Sequence, residues 1–176
     1  PQSTQRAMRR KDRELSREET LTVIRHTPHC VIATVDESGT PYATPITAVL
    51  FEGAVYFHSS SDVTGRRYQN TLQNDKVSIV WIGRGETAAD ELPKDFSVNY
   101  ASAIVEGRIS LVTDEGEKKR VAKAFCLRHV PQAGEEAIDK YYAAGGKYVV
   151  FWKVTIDSLS GKARNKQGYF NRILAV

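Results

Sequence analysis

The apolar positions of the chain fall into six segments whose composition predicts β-strands. β-Branched and aromatic residues dominate these segments, and in the last one Val150, Trp152, Val154 and Ile156 occupy alternate positions on one face. The predicted strands are residues 31–35, 42–51, 54–58, 76–82, 97–111 and 148–156.

Short turns join the first three predicted strands. Residues 36–39 read Asp-Glu-Ser-Gly, and Glu52 with Gly53 forms a second tight turn. Because connections this short join only antiparallel neighbours, the three strands are predicted to form a meander. Gly107 inside the fifth strand indicates a bulge or bend. Residues 83–95 mix glycine, threonine, proline and charged residues, which predicts a surface loop.

Helical signals occupy the gaps between these strands. Ser16 followed by Glu19 is a capping-box pattern, and it predicts a helix that ends near Pro28. Further helices are predicted over residues 65–73, 114–129 and 135–142. Six antiparallel strands with few helices predict a mainly β fold, a small closed or split β-barrel.

The composition fits one compact domain. A chain of 176 residues, 41% of them hydrophobic, is long enough for a single core. We expect the domain to span residues 8–160, with a leader at residues 1–7. Residues 161–176 show no clear period and are predicted to be a C-terminal tail that is solvated or covers a partner subunit. No apolar run approaches the roughly 18 residues that cross a bilayer, so we expect a cytoplasmic protein with no membrane partner.

The charge is weakly basic. Lysine and arginine number 25 against 21 aspartate and glutamate, a net charge of +4. Part of this charge lies near the start of the chain, at Arg6, Arg9, Arg10, Lys11, Arg13 and Arg17. Asp12 and Glu14 interrupt the run and no aromatic residue interleaves with it, which favours a solvated or subunit-contacting arm over a nucleic-acid partner.

The common metal, nucleotide and hydrolase motifs are absent from the sequence. Cys30 and Cys126 form no CxxC pair and have no histidine at zinc-ligand spacing, so we expect no metal site. No GxGxxG follows a strand, and neither GxxxxGK[ST] nor HExxH occurs. Hydrolytic chemistry therefore has little support.

The candidate chemistry lies at the end of the third predicted strand. His58 is followed by Ser59, Ser60 and one further serine, and Arg66 and Arg67 lie in the first turn of the next predicted helix. Hydroxyls, guanidinium groups and helix N-terminal amides together suit a phosphate group. The alternative is that the serines only satisfy a turn and the arginines form a solvated face.

Several motifs, taken in order, resemble the pyridoxamine 5'-phosphate oxidase-like FMN-binding split-barrel family, and most closely its nitroimidazole-resistance branch. The resemblance covers residues 8–160. The motifs are residues 8–14, Gly-Thr-Pro-Tyr at 39–42 with Pro45 after it, Tyr-Phe-His-Ser at 56–59, Gly-Arg-Arg at 65–67 and Asn-Asp-Lys-Val-Ser at 74–78.

The resemblance implies a six-stranded antiparallel split β-barrel that forms a homodimer, with two FMN molecules between the subunits. It places His58 and Ser59 near the flavin, and it assigns the phosphate to Arg66 and Arg67. Residues along the isoalloxazine ring would be Thr44, Pro45, Ile46 and Thr47, and Ser102 would reach the cofactor of the other subunit. Two departures from the family pattern are Arg67, where a lysine is common, and the extra length at residues 62–64.

The activity implied by the resemblance is that of an FMN-dependent oxidoreductase. A reduced nicotinamide would donate hydride, a nitro compound or quinone would accept it, and His58 would orient the acceptor or supply a proton. A non-catalytic flavin-binding or sensing module, or the same barrel with F420 or haem, remains the alternative. Pyridoxamine 5'-phosphate oxidation is less favoured because the C-terminal segment lacks that enzyme's Trp and Arg pattern.

Overall fold

Six antiparallel strands form the body of the protein. The computed structural model describes residues 7–175, apart from the side chain of Lys147. The strands are β1 His29–Val35, β2 Pro41–Phe51, β3 Ala54–Ser59, β4 Lys76–Ala88, β5 Ser97–Leu111 and β6 Val150–Arg164. They close into one barrel in the order β1-β2-β3-β6-β5-β4, which confirms the predicted mainly β, six-stranded antiparallel fold. The predicted leader lies outside the described residues except for Ala7.

Within residues 7–175, five α-helices connect or flank the strands. They are α1 Arg17–His26, α2 Arg66–Gln73, α3 Glu115–His129, α4 Gly134–Ala144 and α5 Lys166–Leu174. The predicted capping box at α1 is confirmed, since Ser16 Oγ accepts from the Glu19 N–H and the Ser16 N–H donates to Glu19 Oε2. In the part of the chain that the structure describes, no helix combines the length and the hydropathy needed to cross a bilayer.

Two apolar clusters hold the barrel together. The larger one fills the barrel, and α1 adds Val23 and Ile24 to it. Its members from the strands include Ile32, Val55, Phe57, Ile79, Trp81, Val105, Trp152 and Val154. In the smaller cluster, Val121 and Ala122 of α3 cover the outer face of β2, β3 and β6. Burial of these side chains drives the strands to close, because each removes apolar surface from water.

The predicted irregularity at Gly107 is confirmed. The register between β5 and β6 shifts between Glu106 and Gly107. A Cβ atom at position 107 would lie 2.1 Å from the Thr155 carbonyl oxygen. The two backbones therefore approach more closely than any larger residue would allow.

The fourth strand is longer than the sequence predicted. The predicted loop at 83–95 is wrong for its first half, because β4 continues past Ile82 as far as Ala88. A register shift after Ile82 preserves the ladder, which ends with Ala88 opposite Ser97. Glycine and charged residues are weak strand formers, and here the long partner strand β5 overrides that weakness.

The residues predicted as a C-terminal tail from 161 are instead part of the domain. β6 runs on to Arg164, and α5 then returns to the barrel with Tyr169 in the main cluster at 1% exposure. Asn165 Oδ1 caps α5 by accepting from the Gly168 N–H at 3.2 Å. Basic residues surround the few apolar residues of this segment, so the sequence pattern did not predict that the segment packs on the barrel. The predicted domain boundary at 160 therefore falls too early.

Candidate functional site

A cleft of about 320 Å³ lies where β1, β2, β3 and α2 meet. Its lining residues are His29, Pro45, Ile46, Thr47, His58 and Arg67. The antiparallel register, with Ala48 opposite Phe57, places residues 45–47 beside the point where β3 leaves the core. Five of the predicted site residues therefore come together although they are far apart in sequence.

Arg67 brings a half-buried guanidinium group into this cleft. Its Nη1 donates to Thr44 Oγ1 at 3.3 Å, and its guanidinium carbon lies 5.3 Å from the centroid of the Phe57 ring. Among the described residues, no ion pair includes Arg67. Burial lowers the pKa of Arg67, since it removes water from the cation. A guanidinium that has lost water and faces no carboxylate favours an anionic ligand.

Helix α2 fixes the position of this arginine. Asn70 Nδ2 donates to Thr34 Oγ1 at 3.1 Å, and the Tyr68 ring packs edge-on against Trp152 at 5.1 Å. The first turn of α2 contains no acidic residue, and its N-cap, Gly65, makes no side-chain capping bond. The positive charges of Arg66 and Arg67 lie at the positive end of the helix dipole, which is electrostatically unfavourable. An anion bound at this helix end would offset the repulsion.

Arg66 lies outside the cleft. Its guanidinium carbon is 4.5 Å from the centroid of the Tyr42 ring, and its Nη2 lies 3.9 Å from Asp36 Oδ2. The two arginines of the predicted phosphate-binding pair thus have different surroundings. Arg67 faces the cleft without a carboxylate partner, whereas Arg66 already has an aromatic and an acidic neighbour.

His58 stands at the exit of β3 with its ring against α3. The ring packs edge-on on Phe125, with 4.9 Å between centroids, and tilts towards Phe151 at 6.3 Å. Partial burial and the nearby charge of Arg67 both lower the pKa of His58. Its imidazole is therefore mainly neutral at pH 7 and is exposed at the cleft, where a ligand can reach it.

Two further histidines lie close to the cleft, and no local motif in the sequence singles them out. His29 lines it, with Nδ1 3.2 Å from Thr47 Oγ1. His129 packs on the other side of Phe125 at 4.6 Å, and its Nε2–H donates to the Ala48 carbonyl at 3.2 Å. Burial is the main cause that lowers the pKa of His129. Only the pairing of β1 with β2 and the docking of α3 bring the three rings together.

The serines after His58 have local partners. Ser59 Oγ accepts from the buried Trp152 Nε1 at 2.9 Å and donates to the Ser60 carbonyl at 3.0 Å. Ser60 Oγ accepts from the Asp62 N–H at 3.1 Å, inside a loop that a second turn closes at Thr64. Neither serine lines the cleft, and Ser59 has a clear role in satisfying the indole N–H.

Ser102 lies on a different part of the molecule, on the outward face of β5 opposite Ile82 of β4. On the same face a row of apolar residues crosses four strands through successive cross-strand pairs. The row consists of Pro45, Val31, Val80 and Ile104. Because Pro45 also lines the cleft, the cleft opens onto this apolar face.

The arrangement suits a ligand with an anionic group near Arg67. In the described part of the chain, no three His, Cys, Asp or Glu side chains are grouped so that they could hold a metal ion.

Comparison with known sequences gives one family. The model described as pyridoxamine 5'-phosphate oxidase matches residues 16–163, which includes every residue of the cleft. A search of the curated proteins found no match.

Solved structures share the fold at low sequence identity. A candidate 5-nitroimidazole antibiotic resistance protein from Bacteroides thetaiotaomicron superimposes with a TM-score of 0.70 at 19% identity, over 85% of each chain. A flavocytochrome from Azotobacter vinelandii gives 0.74 at 19% identity, over 90% of this chain and 72% of that one. A haem storage protein from Vibrio cholerae gives 0.57 at 20% identity, over 81% and 92%. At these identities the similarity establishes the fold alone.

Proposed function

Because this chain belongs to the pyridoxamine 5'-phosphate oxidase family, we propose that it binds FMN in the cleft between β2, β3 and α2 and uses it to reduce a small acceptor. The observation that carries the proposal is the Arg67 guanidinium, half-buried in the cleft with no carboxylate partner among the described residues. The solved structure named for a flavocytochrome supports the choice of a flavin.

The residues of the cleft fit the two ends of FMN. Arg67 and the uncapped start of α2 would hold the phosphate, and Thr44 would keep the guanidinium in place through its hydroxyl. Residues 45–47 would lie along the ring system, since all three line the cleft. Arg66 would add charge near the phosphate without direct contact, because Asp36 and Tyr42 already engage it.

The reaction class we propose is hydride transfer from a reduced nicotinamide to a nitro compound or quinone. When bound, FMN would supply the two-electron chemistry, and the protein supplies position and electrostatics. His58 would relay the proton that must accompany the hydride, and this role is supported by the exposure of its ring at the cleft. Its lowered pKa keeps the ring mainly neutral at pH 7, so it would bind the acceptor or pass on a proton without carrying a permanent charge.

A homodimer completes this proposal. Val31, Ile82 and Ile104 expose 36%, 65% and 41% of their surface on the outward face beside the cleft. Exposed apolar residues in a continuous row favour burial against another protein surface, and a second copy would cover the row and both clefts symmetrically. Ser102 lies on this face, which is where a residue that reaches the cofactor of a partner subunit would have to be.

Haem is the second candidate ligand. His29 and His58 line the same cleft, so an imidazole is available for axial ligation, and one of the similar structures is named for haem storage. Under this proposal Arg67 would pair with a propionate carboxylate, the same chemistry that it offers a phosphate.

The test is to purify the protein, record its absorption spectrum, identify any released cofactor by mass spectrometry, and titrate stripped protein with FMN, F420 and haem. We expect tight, saturable binding of FMN, followed by acceptor-dependent oxidation of reduced nicotinamide. FMN binding without turnover against a panel of nitro compounds and quinones would identify a flavin-binding or sensing module. Preferential binding of haem or F420 would overturn the FMN proposal.

A further inference from the structure

A buried arginine far along β4 has donors with no acceptor. Arg84 follows the register shift of β4 and pairs with Ala101, whose side chain is fully buried. Only 11% of the Arg84 side chain is exposed. Its Nη2 donates to Glu86 Oε1, but its Nε and Nη1 are buried and lack any hydrogen-bond partner among the described residues. Nε carries one N–H and Nη1 carries two, so most of the donors of this cation are unused.

Leaving the buried Nε and Nη1 donors of Arg84 without acceptors is energetically unfavourable. Burying a charged group costs free energy unless its donors are satisfied, and buried polar groups in native proteins nearly always have partners. An acceptor other than Glu86 is therefore required at Nε and Nη1.

The surroundings carry an excess of positive charge. Among the described residues, Arg84 forms its one ion pair with Glu86. The Arg84 hydrogen bond lowers the pKa of Glu86, and Asn99 and the charge of Arg172 lower that pKa to a smaller extent. Asn99 Oδ1 in turn accepts from Arg164 Nη1 at 3.1 Å. Arg164, through Asn99, and Arg172, through its charge, thus lie around the Arg84–Glu86 ion pair, and this excess of positive charge favours a second anion.

Helix α5 packs against β4 next to this group of residues. A Cβ atom at Gly83, next to Arg84, would lie 2.8 Å from Tyr169 Oη, so the strand and the helix are in close contact there. Arg172 lies on the same helix, and its side chain is exposed. None of these residues lines the cleft described above.

We propose that Arg84, Arg164 and Arg172 form a second binding site, at the junction of the β4–β5 hairpin with α5, for a small oxyanion such as phosphate or a carboxylate. The oxyanion accepts from Nε and Nη1 of Arg84 and is held at its outer side by Arg172. Glu86 competes with it for the same guanidinium. The site is independent of the FMN cleft and of the proposed reductase activity.

The test measures the thermal unfolding midpoint of the purified protein as the concentration of inorganic phosphate, or in a separate series of acetate, is raised. The protein is saturated with FMN so that the cleft is occupied. Ionic strength is held constant with chloride. We expect a saturable rise of the midpoint with at least one of the two anions, because a ligand that binds only the folded state stabilises it. The anion that gives the larger rise identifies the chemistry of the natural ligand.

Variants distinguish anion binding at this site from a general effect of salt on stability. Arg84→Gln should abolish the saturable rise, and Arg172→Gln should weaken binding by about tenfold. Glu86→Gln should strengthen binding, an opposite sign that loss of structure cannot produce. The matched control is Arg108→Gln, which removes an exposed charge of β5 that pairs with Asp157, and it should leave the rise unchanged.

If Arg84→Gln does not fold, the Arg172→Gln and Glu86→Gln variants still test the proposal. No saturable rise with either anion in the wild-type protein would show that water or a partner chain satisfies Arg84, and the proposal would fall. An equal rise in Arg172→Gln, Glu86→Gln and wild type would overturn it as well.

Discussion

The hydroxyl of Thr44 accepts a hydrogen bond from the Arg67 guanidinium, with 3.3 Å between Oγ1 and Nη1. This bond joins the middle of β2 to the first turn of α2 and holds the cation in the cleft. Because Arg67 has no carboxylate partner among the described residues, its charge is available to a ligand. The contact connects β2 of the barrel to the arginine that we propose binds the phosphate of FMN.

Replacing Arg67 by glutamine should lower the affinity for FMN by roughly tenfold or more, because a charge-assisted hydrogen bond to the phosphate is lost. Arg66→Gln should cost less, since Asp36 and Tyr42 already engage Arg66. The measurement is quenching of FMN fluorescence during titration of stripped protein. Both variants remove one positive charge, so their difference reports position and not net charge.

Thr44→Val supplies the control for positioning. If Thr44 acts only by orienting Arg67, the valine variant should weaken FMN binding severalfold in wild type and have little further effect in Arg67→Gln. A larger loss from Arg66→Gln than from Arg67→Gln would contradict the assignment of Arg67 to the phosphate.

The second expected outcome concerns the titration of His58. Arg67 is one of two causes that lower its pKa, so Arg67→Gln should move that pKa upward, towards the ordinary value of about 6.5, with burial keeping it below. The measurement is the pH dependence of the imidazole resonances by NMR, with Arg66→Gln as the matched control. An unchanged His58 titration in Arg67→Gln would show that the two groups do not interact.

The same lowered pKa affects stability. Between the lowered folded pKa and about 6.5, the unfolded chain binds more protons at His58 than the folded one, so stability falls as pH falls through that window. His129 adds to the effect, since its pKa is lowered as well. The unfolding midpoint should drop between pH 7 and pH 5, and less so in His129→Gln than in wild type or in the exposed control His26→Gln.

The third expected outcome tests the apolar outward face. Ile82→Lys should convert the proposed dimer into a monomer, because a lysine cannot be buried unpaired at an interface. FMN affinity should fall with it if the partner contributes to the cleft. The measurement is light scattering after size exclusion, and the control is Leu72→Lys, which changes a residue of similar exposure on α2. A wild-type monomer that binds FMN tightly would contradict the dimer.

The fourth expected outcome separates structure from binding at Ser59. Ser59→Ala leaves the buried Trp152 N–H without an acceptor and should lower the free energy of unfolding by about 1–3 kcal/mol. FMN affinity should change less than about twofold, since Ser59 does not line the cleft. The measurement is urea denaturation beside FMN titration, with the exposed Ser60→Ala as control. Normal stability together with weak FMN binding would make Ser59 a ligand contact.

Several strands of this fold can be predicted from local sequence patterns alone. Strands β2, β3 and β5 were predicted almost to the residue, because β-branched runs between turn residues mark them directly. Residues 45–47, His58 and Arg67, which the sequence analysis assigned to one site, line one cleft in the structure. Their grouping came from the family resemblance, since the three pieces are far apart in the chain.

Long-range packing accounts for what was missed. His29 and His129 reach the cleft only through the β1–β2 register and the docking of α3, and neither contact leaves a local signal. The separation of Arg66 from Arg67 depends on Asp36, which lies in a distant turn. The extension of β6 and the docking of α5 were missed because charged residues surround the few apolar ones that pack.

The role of α5 gives the last expected outcome. Tyr169 is buried at 1% exposure in the main cluster, so Tyr169→Ala should lower the free energy of unfolding by about 3–5 kcal/mol, as large aromatic-to-alanine changes do in cores. The measurement is urea denaturation. Tyr141→Ala on α4, where the side chain is 53% exposed, is the control and should stay within about 0.5 kcal/mol of wild type. If Tyr169→Ala were as stable as its control, the docking of α5 would contribute little to the stability of the barrel.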